Sequence, residues 1–187
     1  MCKNVKGFTI MELMIVVTII GVTAALVLPN FRIWKENSEL GNAARELMTN
    51  INVAKMRAVK IGRNCVVGFD MQISGVQYNY VLFEDMDNDM EYDAGETIFN
   101  NDIGDTKWQN GNIKFDVSSG QSGTGLDITQ NFQNQTVIAF RSNGLTTDVN
   151  GGLGGGTIFI INNQGRRLRV VVTAVGNMRI RRPDQLI

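Results

Sequence analysis

The hydrophobic and polar positions divide the chain into three regions with different periodicities. Residues 8–28 carry one charged side chain, Glu12, and are otherwise apolar except for three threonines. As a helix they would span about 31 Å, close to the ~30 Å of a hydrocarbon core. Further along, apolar residues recur at alternating steps of four and three, which predicts an amphipathic helix. This apolar stripe consists of Leu40, Ala44, Leu47, Ile51, Ala54, Ala58 and Ile61.

Gly62 is a natural helix stop, and after it the pattern changes to short β-type runs separated by turn residues. Strands are predicted at residues 64–69, 76–83, 97–100, 112–117, 135–140, 157–162, 167–173 and 178–181. The glycine-rich residues 150–156 lack the Lys-Ser/Thr ending of a phosphate-binding loop, so a flexible hairpin connection is expected there. One long helix, residues 8–61, packed on antiparallel sheet gives an α+β fold.

Glu12 is the anomaly of the apolar segment, because an acidic side chain deep in lipid costs roughly 2.5–3.5 kcal/mol on insertion scales. One interpretation is a Thr-x-x-Glu capping box with Thr9, at a helix N-terminus that also favours an anion. The other is that Glu12 pairs with a new α-amino group of Phe8 on a neighbouring copy, so that two buried charges cancel. The residues alone leave both interpretations open.

Basic residues flank the apolar segment unequally. Lys3 and Lys6 precede it, and the next basic residue is Arg32. The positive-inside rule therefore predicts a cytoplasmic N-terminus with the remainder outside. An ordinary secretory signal is cut after its apolar stretch, whereas the plausible cleavage site here follows Gly7, before that stretch. The apolar helix would then remain in the mature protein.

The run from Gly7 to Leu13, the apolar helix and Pro29 resemble the class III signal of type IV pilins and type II secretion pseudopilins. The resemblance implies cleavage between Gly7 and Phe8 by a prepilin peptidase, N-methylation of Phe8, and selection of subunit register by Glu12. It also implies a single-pass protein of the bacterial inner membrane with a periplasmic C-terminal domain. An inner-membrane assembly platform would move it into a periplasmic or surface filament, where its N-terminal helix contacts other pilin or pseudopilin subunits.

Two later regions are similar to the GspH/FimT family of minor pseudopilins and minor type IV pilins: residues 43–63, and the tail from residue 138 onward with its arginine-rich hairpin. That resemblance implies a pilin-like fold with a two-sheet β domain and a place at or near the filament tip, in support of protein secretion or pilus biogenesis. The expected division is a cleaved leader (1–7), a transmembrane and filament-core helix (8–28), an amphipathic continuation (29–62) and a β-rich periplasmic domain (63–187).

Composition limits the chemistry available to the chain. There are 18 basic and 18 acidic residues and no histidine, so the global charge gives no nucleic-acid signal and both Ser-His-Asp and Cys-His catalysis are excluded. Cys2 would leave with the leader, and Cys65 is interpreted as a small core residue. We therefore expect no enzymatic activity and no obligatory cofactor.

An acidic segment between two predicted strands has oxygen donors at positions 1, 3, 5, 7, 9 and 12, the spacing of a calcium loop. The donors are Asp85, Asp87, Asp89, Glu91, Asp93 and Glu96. Position 6, which is glycine in such loops, is Met90, and the flanking segments are predicted strands rather than helices. The alternatives are an acidic turn without a metal ion and a calcium site.

The last predicted hairpin carries an arginine cluster, because strand alternation places four arginines on one face if residues 174–177 form the turn. The cluster consists of Arg167, Arg169, Arg179 and Arg181, with Arg166 and Arg182 nearby. One interpretation is a solvated outer face paired with acids such as Asp184. The other is contact with DNA phosphates, implied by the resemblance to FimT-type pilins of DNA uptake. Their Gly-Arg-x-Arg motif is matched here only as a loose cluster.

Overall fold

The chain begins with one long helix. The structure, a computed structural model, describes residues 7–103, 112–116, 126–128 and 136–182. Helix α1 runs from Ile10 to Ile61 and continues through Pro29. The hydroxyl of Thr9 caps it by accepting a hydrogen bond from the backbone N–H of Glu12 at 3.2 Å. Gly62, with φ of 71°, ends it, because glycine adopts this left-handed conformation without a steric penalty. The predicted helix is confirmed except for its first two residues.

The two halves of α1 have different surroundings. In residues 36–61 the predicted stripe packs against the sheets, and every member of it is buried except Ile61, which is half-buried. Residues 10–25 and 31–35 are exposed to solvent. No helix among the described residues is both long and apolar enough to cross a membrane.

Ten strands are described, and all of their pairings are antiparallel. They are β1 (Asn64–Ile73), β2 (Val76–Asp85), β3 (Ile98–Ile103), β4 (Ile113–Phe115), β5 (Leu126–Ile128), β6 (Thr136–Phe140), β7 (Thr146–Thr147), β8 (Gly156–Asn162), β9 (Arg167–Val172) and β10 (Met178–Arg181). The first sheet has the order β3-β2-β1-β6-β7, and the second has the order β10-β9-β8-β4, with β5 also paired to β8. The predicted α+β fold with two antiparallel sheets is confirmed.

Each predicted strand overlaps an observed one, but some limits differ. Strand β1 continues to Ile73 because Ser74 and Gly75 form a two-residue turn into β2, both with positive φ (51° and 81°). Such a turn matches the twist of the paired strands and keeps them in register. Strands β5 and β7 were not predicted, because segments of three and two residues are too short to show a period.

The core lies where α1 meets the inner faces of both sheets. It joins the helix stripe to β1, β2, β6, β8 and β9. We call residues 36–61 of α1 together with the two sheets the head. The first sheet is buried on its outer face as well, where Met90 and Tyr92 cover Val66, Val81 and Phe83. Burial on both faces explains why β1 and β6 have continuous rather than alternating apolar runs.

The glycine-rich residues 150–156 connect β7 of the first sheet with β8 of the second, so the predicted hairpin connection is wrong. The carboxylate of Asp148 accepts hydrogen bonds from the N–H groups of Asn150 (2.9 Å) and Gly152 (2.7 Å). A Cβ atom at Gly154 would lie 2.5 Å from the carbonyl oxygen of Thr147. The glycines allow the backbone to pass this close to β7, which strand periodicity does not reveal.

Candidate functional site

The predicted processing residues and Glu12 lie at the start of α1, whereas Pro29, the other predicted assembly residue, lies within the helix. Gly7 and Phe8 precede the cap and are exposed, and Phe8 has 80% of its surface accessible. The contact between Thr9 and Glu12 uses the hydroxyl of Thr9 and the backbone of Glu12, so it leaves the Glu12 carboxylate available. That carboxylate is exposed in the single chain. One half of the capping box is therefore present, and it is compatible with an intersubunit role for the carboxylate.

The acidic segment between β2 and β3 is closed by its first and last carboxylates. Asp85 accepts hydrogen bonds from the backbone N–H groups of Asn88 (2.7 Å) and Met90 (3.3 Å). Glu96 accepts others from Met86 (2.8 Å) and Asp93 (3.2 Å). Burial raises the pKa of both carboxyl groups above the ordinary value, although these hydrogen bonds oppose the shift.

Three of the six proposed calcium donors converge. Carboxylate oxygens of Asp85, Asp87 and Asp89 lie within 4.8 Å of one another, whereas Glu91, Asp93 and Glu96 lie outside this group of described residues. A cation between the three aspartates would reduce their mutual repulsion, and oxygen donors in this arrangement suit calcium.

Met90 occupies position 6 of the acidic segment, where a calcium loop has glycine. Its φ is 65°, the left-handed conformation that glycine takes in calcium loops. Its side chain is only 3% exposed and belongs to the second apolar cluster with Phe83 and Val66. We infer that this apolar burial offsets the strain of a non-glycine residue at positive φ. Sequence spacing alone did not indicate that anchoring role.

The arginine cluster occupies the outer face of the second sheet, as alternation predicted. Arg181 pairs across the strands with Arg169, and Arg179 pairs with Val171. These three arginines line a cleft of about 380 Å³, together with Thr157, Val171 and Thr173. A concentration of positive charge around a cleft attracts anionic groups.

Arg167, Arg166 and Arg182 do not line this cleft. The Nε of Arg167 lies 2.8 Å from a carboxylate oxygen of Asp116, a buried residue after β4. Asp184, the acid expected to neutralise this face, lies outside the described residues. The sequence did not identify Asp116 as a partner, because the two residues are far apart along the chain.

A second concave surface lies between α1 and β10. This groove of about 650 Å³ is lined by Arg45 and Met48 of the helix and by all four residues of the strand, Met178–Arg181. Arg179 and Arg181 line both the cleft and the groove. The helix residues were missed because the predicted stripe contains neither of them.

Cys65 is fully buried at the start of β1. Burial raises the pKa of its thiol to about 12, and the nearby carboxylate of Glu84 acts in the same direction. The thiolate is the nucleophilic form of cysteine, so Cys65 is a neutral core residue, as expected from its isolation in the sequence.

Comparison with known proteins places these features in a family. The family described as "Type II transport protein GspH" matches residues 43–176, and the "Prokaryotic N-terminal methylation motif" matches residues 2–28. The first match covers the second half of α1 and most of the two sheets. The second contains the capped helix start and Glu12. Together they confirm the resemblance predicted from the sequence.

One relative and one solved structure extend the comparison. The chain is 33% identical over 103 residues to "Pilin-like protein PilA1" of Thermus thermophilus, a match that covers 55% of this chain and 63% of that protein. The minor pseudopilin EpsH from the Type 2 Secretion System of Vibrio cholerae aligns with a TM-score of 0.44 and 12% identity over 79% of this chain and 99% of that one. Since the GspH match spans well over half of the sequence, this chain belongs to the GspH family of type II transport proteins.

Proposed function

We propose that this chain is a minor pseudopilin or minor pilin of a type II secretion or type IV pilus system. A prepilin peptidase cleaves it between Gly7 and Phe8, and Phe8 is then methylated. Residues 8–28 anchor it in the inner membrane, with its N-terminus cytoplasmic and its head periplasmic. It then joins other pilin or pseudopilin subunits, through the assembly platform, at or near the filament tip. Its role is structural rather than enzymatic.

The observation that carries this proposal is the exposed apolar surface around the first half of α1. A helix that is apolar on all sides requires a low-polarity environment on all sides, and the head leaves this half uncovered. The large exposed apolar side chains are Ile10, Met11, Leu13, Met14, Ile15, Val16, Val17, Ile19, Ile20, Val22, Phe31, Ile33 and Trp34. Lipid before assembly and neighbouring helices after it would both provide that environment.

Glu12 offers the sharpest test of assembly. If its carboxylate pairs with the amine of Phe8 on a neighbouring subunit, Glu12→Ala leaves an uncompensated buried amine in the filament. We expect normal cleavage, methylation and membrane association of the variant by mass spectrometry and fractionation, but at least a tenfold loss from sheared filaments. The control is Glu46→Ala, which changes an exposed carboxylate in the second half of α1. Normal incorporation of the Glu12 variant would contradict the pairing.

The cleft that contains Arg169, Arg179 and Arg181 supports a second candidate function, DNA binding during DNA uptake. Neutralising phosphates releases counterions, so the affinity should fall steeply with salt. The experiment measures binding of the full chain to a labelled DNA duplex over a salt series. We expect Arg179→Ala with Arg181→Ala to weaken binding and reduce the salt slope by about one for each lost phosphate contact. The control is Arg63→Ala, since Arg63 is an exposed arginine between α1 and β1. Unchanged binding discards this candidate.

The convergence of three aspartates supports calcium binding by the acidic segment as a further candidate. Asp85, Asp87 and Asp89 would supply carboxylate ligands. Titration calorimetry of the full chain with calcium should show binding that Asp87→Ala removes and Glu46→Ala preserves. An absence of heat at millimolar calcium would reject the site without affecting the filament proposal.

A further inference from the structure

Strand β10 forms one edge of the second sheet in the part of the chain that the structure describes. Among the strands that the structure describes, it pairs with β9 alone. Bonded and non-bonded residue pairs alternate along an antiparallel ladder. The N–H of Thr173 donates to the carbonyl of Asn177 at 2.9 Å, so the next bonded residues on β10 are Arg179 and Arg181. The backbone N–H and C=O groups of Met178 and Ile180 therefore point away from β9, towards the open edge.

The groove beside this edge has an apolar inner side and a basic outer side. Met178 and Ile180 are partly buried and pack on the main core, and Met48 of α1 also lines the groove. Arg179 and Arg181 alternate with them on the outer face, and Arg45 of α1 lines the groove as well. An edge that combines unpaired backbone groups with apolar positions is a template for strand addition.

The positive charge of the groove favours an acidic partner. No carboxylate among the described residues forms a salt bridge with Arg45, Arg179 or Arg181, although the side chain of Arg45 donates to the amide oxygen of Asn42 at 2.7 Å. Arg179 and Arg181 are two residues apart on the same face of β10 and repel each other. An acidic segment laid along the edge would remove this repulsion and form charge-assisted hydrogen bonds.

We propose that the open edge of β10 binds an extended segment of a partner protein by strand addition. The added strand bonds to the backbone of Met178 and Ile180. Its apolar side chains point towards α1 and Met48, and acidic side chains at the alternate positions lie beside Arg179 and Arg181. The four residues of β10 span about 13 Å at roughly 3.3 Å per residue, so a segment of about five residues covers the edge.

Side-chain alternation gives the interaction a defined register. A shift of one residue would place the acidic side chains against the apolar inner side and the apolar ones beside the arginines. The edge thus distinguishes an alternating sequence from a segment of the same composition in blocks. Charge attraction alone does not make that distinction. This inference concerns the head and holds whether or not the filament proposal is correct.

The test uses an acetylated and amidated peptide that alternates valine and aspartate over seven residues, with a fluorescent label. Binding to the full chain in detergent is followed by fluorescence anisotropy. Two further peptides carry N-methyl groups, one on the valines and the other on the aspartates. Only one edge of an extended strand bonds to β10, so we expect one methylated peptide to lose at least tenfold in affinity and the other to bind like the parent.

Protein variants test the other side of the interface. Arg179→Gln with Arg181→Gln should weaken binding of the parent peptide about tenfold, whereas Lys60→Gln, an exposed change in the last turn of α1, should not. Equal affinity of both methylated peptides, equal affinity of a block peptide with the same composition, or no binding at millimolar peptide would overturn the proposal. The peptide comparison leaves the protein unchanged, so misfolding of a variant does not affect it.

Discussion

The two halves of α1 belong to one continuous helix, yet they have opposite relations to the rest of the chain. Residues 36–61 place one apolar stripe against two sheets, and Met56 and Val59 are the large apolar side chains that remain exposed in this half. In residues 10–25 the apolar side chains surround the helix and are exposed. The distribution of apolar residues around a helix therefore indicates its environment. A single apolar stripe indicates packing on one side, and apolar residues on all sides indicate burial on every side.

Truncation of a core side chain should give the largest difference in unfolding free energy between the two halves of α1. Leu47→Ala removes a fully buried side chain, and we expect the free energy of unfolding of the head to fall by about 2–5 kcal/mol. Ile15→Ala makes the same kind of change in the exposed half and should leave that energy unchanged. Denaturant titration of the full chain, followed by circular dichroism, gives both values. A similar loss of unfolding free energy in both variants would show that the first half of α1 also packs on the head, and the contrast between the two halves would then be wrong.

The ion pair of Arg57 should show a smaller effect of the same kind. Its guanidinium bonds to the carboxylate of Glu84 on β2 and lies 4.5 Å from the ring centroid of Phe99. Replacement by Met should cost about 1.5–3 kcal/mol, the range for hydrogen bonds to charged groups. The matched change is Lys35→Met, since Lys35 has a largely exposed side chain that pairs with Glu39 one turn further along the same helix. There we expect roughly 0.5 kcal/mol or less.

Loss of the Thr9 cap should destabilise only the first turn of α1. Thr9→Ala removes the acceptor for the N–H of Glu12, at a cost of about 1 kcal/mol to the first turn. Hydrogen exchange of the first-turn amides should accelerate about fivefold, while the unfolding midpoint of the head stays the same. Thr9→Ser, which keeps the hydroxyl, should restore slow exchange. A shift of the head midpoint would show that the two ends of α1 are coupled.

Asp85 and Glu96 should give the stability of the head a weak dependence on pH. The folded-state pKa of Asp85 and of Glu96 is raised by burial, so the folded chain binds more protons than the unfolded chain just above the ordinary pKa values of these groups. The contribution of these groups to stability is present below that interval and is lost as the pH rises through it. Glu96→Gln should make the unfolding midpoint decrease less as the pH rises through this interval, whereas Glu46→Gln should leave that decrease unchanged. An unchanged slope in the Glu96 variant would show that its carboxyl group has an ordinary pKa.

Much of the candidate chemistry was predictable because it depends on local spacing. Alternation along two strands placed Arg167, Arg169, Arg179 and Arg181 on one face, and the observed register agrees with that placement. Spacing also grouped the acidic residues, but only the tertiary structure separated the three converging aspartates from Glu91, Asp93 and Glu96. The local turn depends on Met90, whose positive φ is stabilised by apolar contacts with strands elsewhere in the chain.

Local sequence specifies the helix, its stop at Gly62, the buried stripe and most strand positions, because each is a periodic or turn signal carried by neighbouring residues. Tertiary structure alone decided the sheet order, the partner of Arg167 and the open edge of β10 beside α1. These features join residues that are distant along the chain. Their positions depend on how strands pair and pack, and no local period encodes that choice.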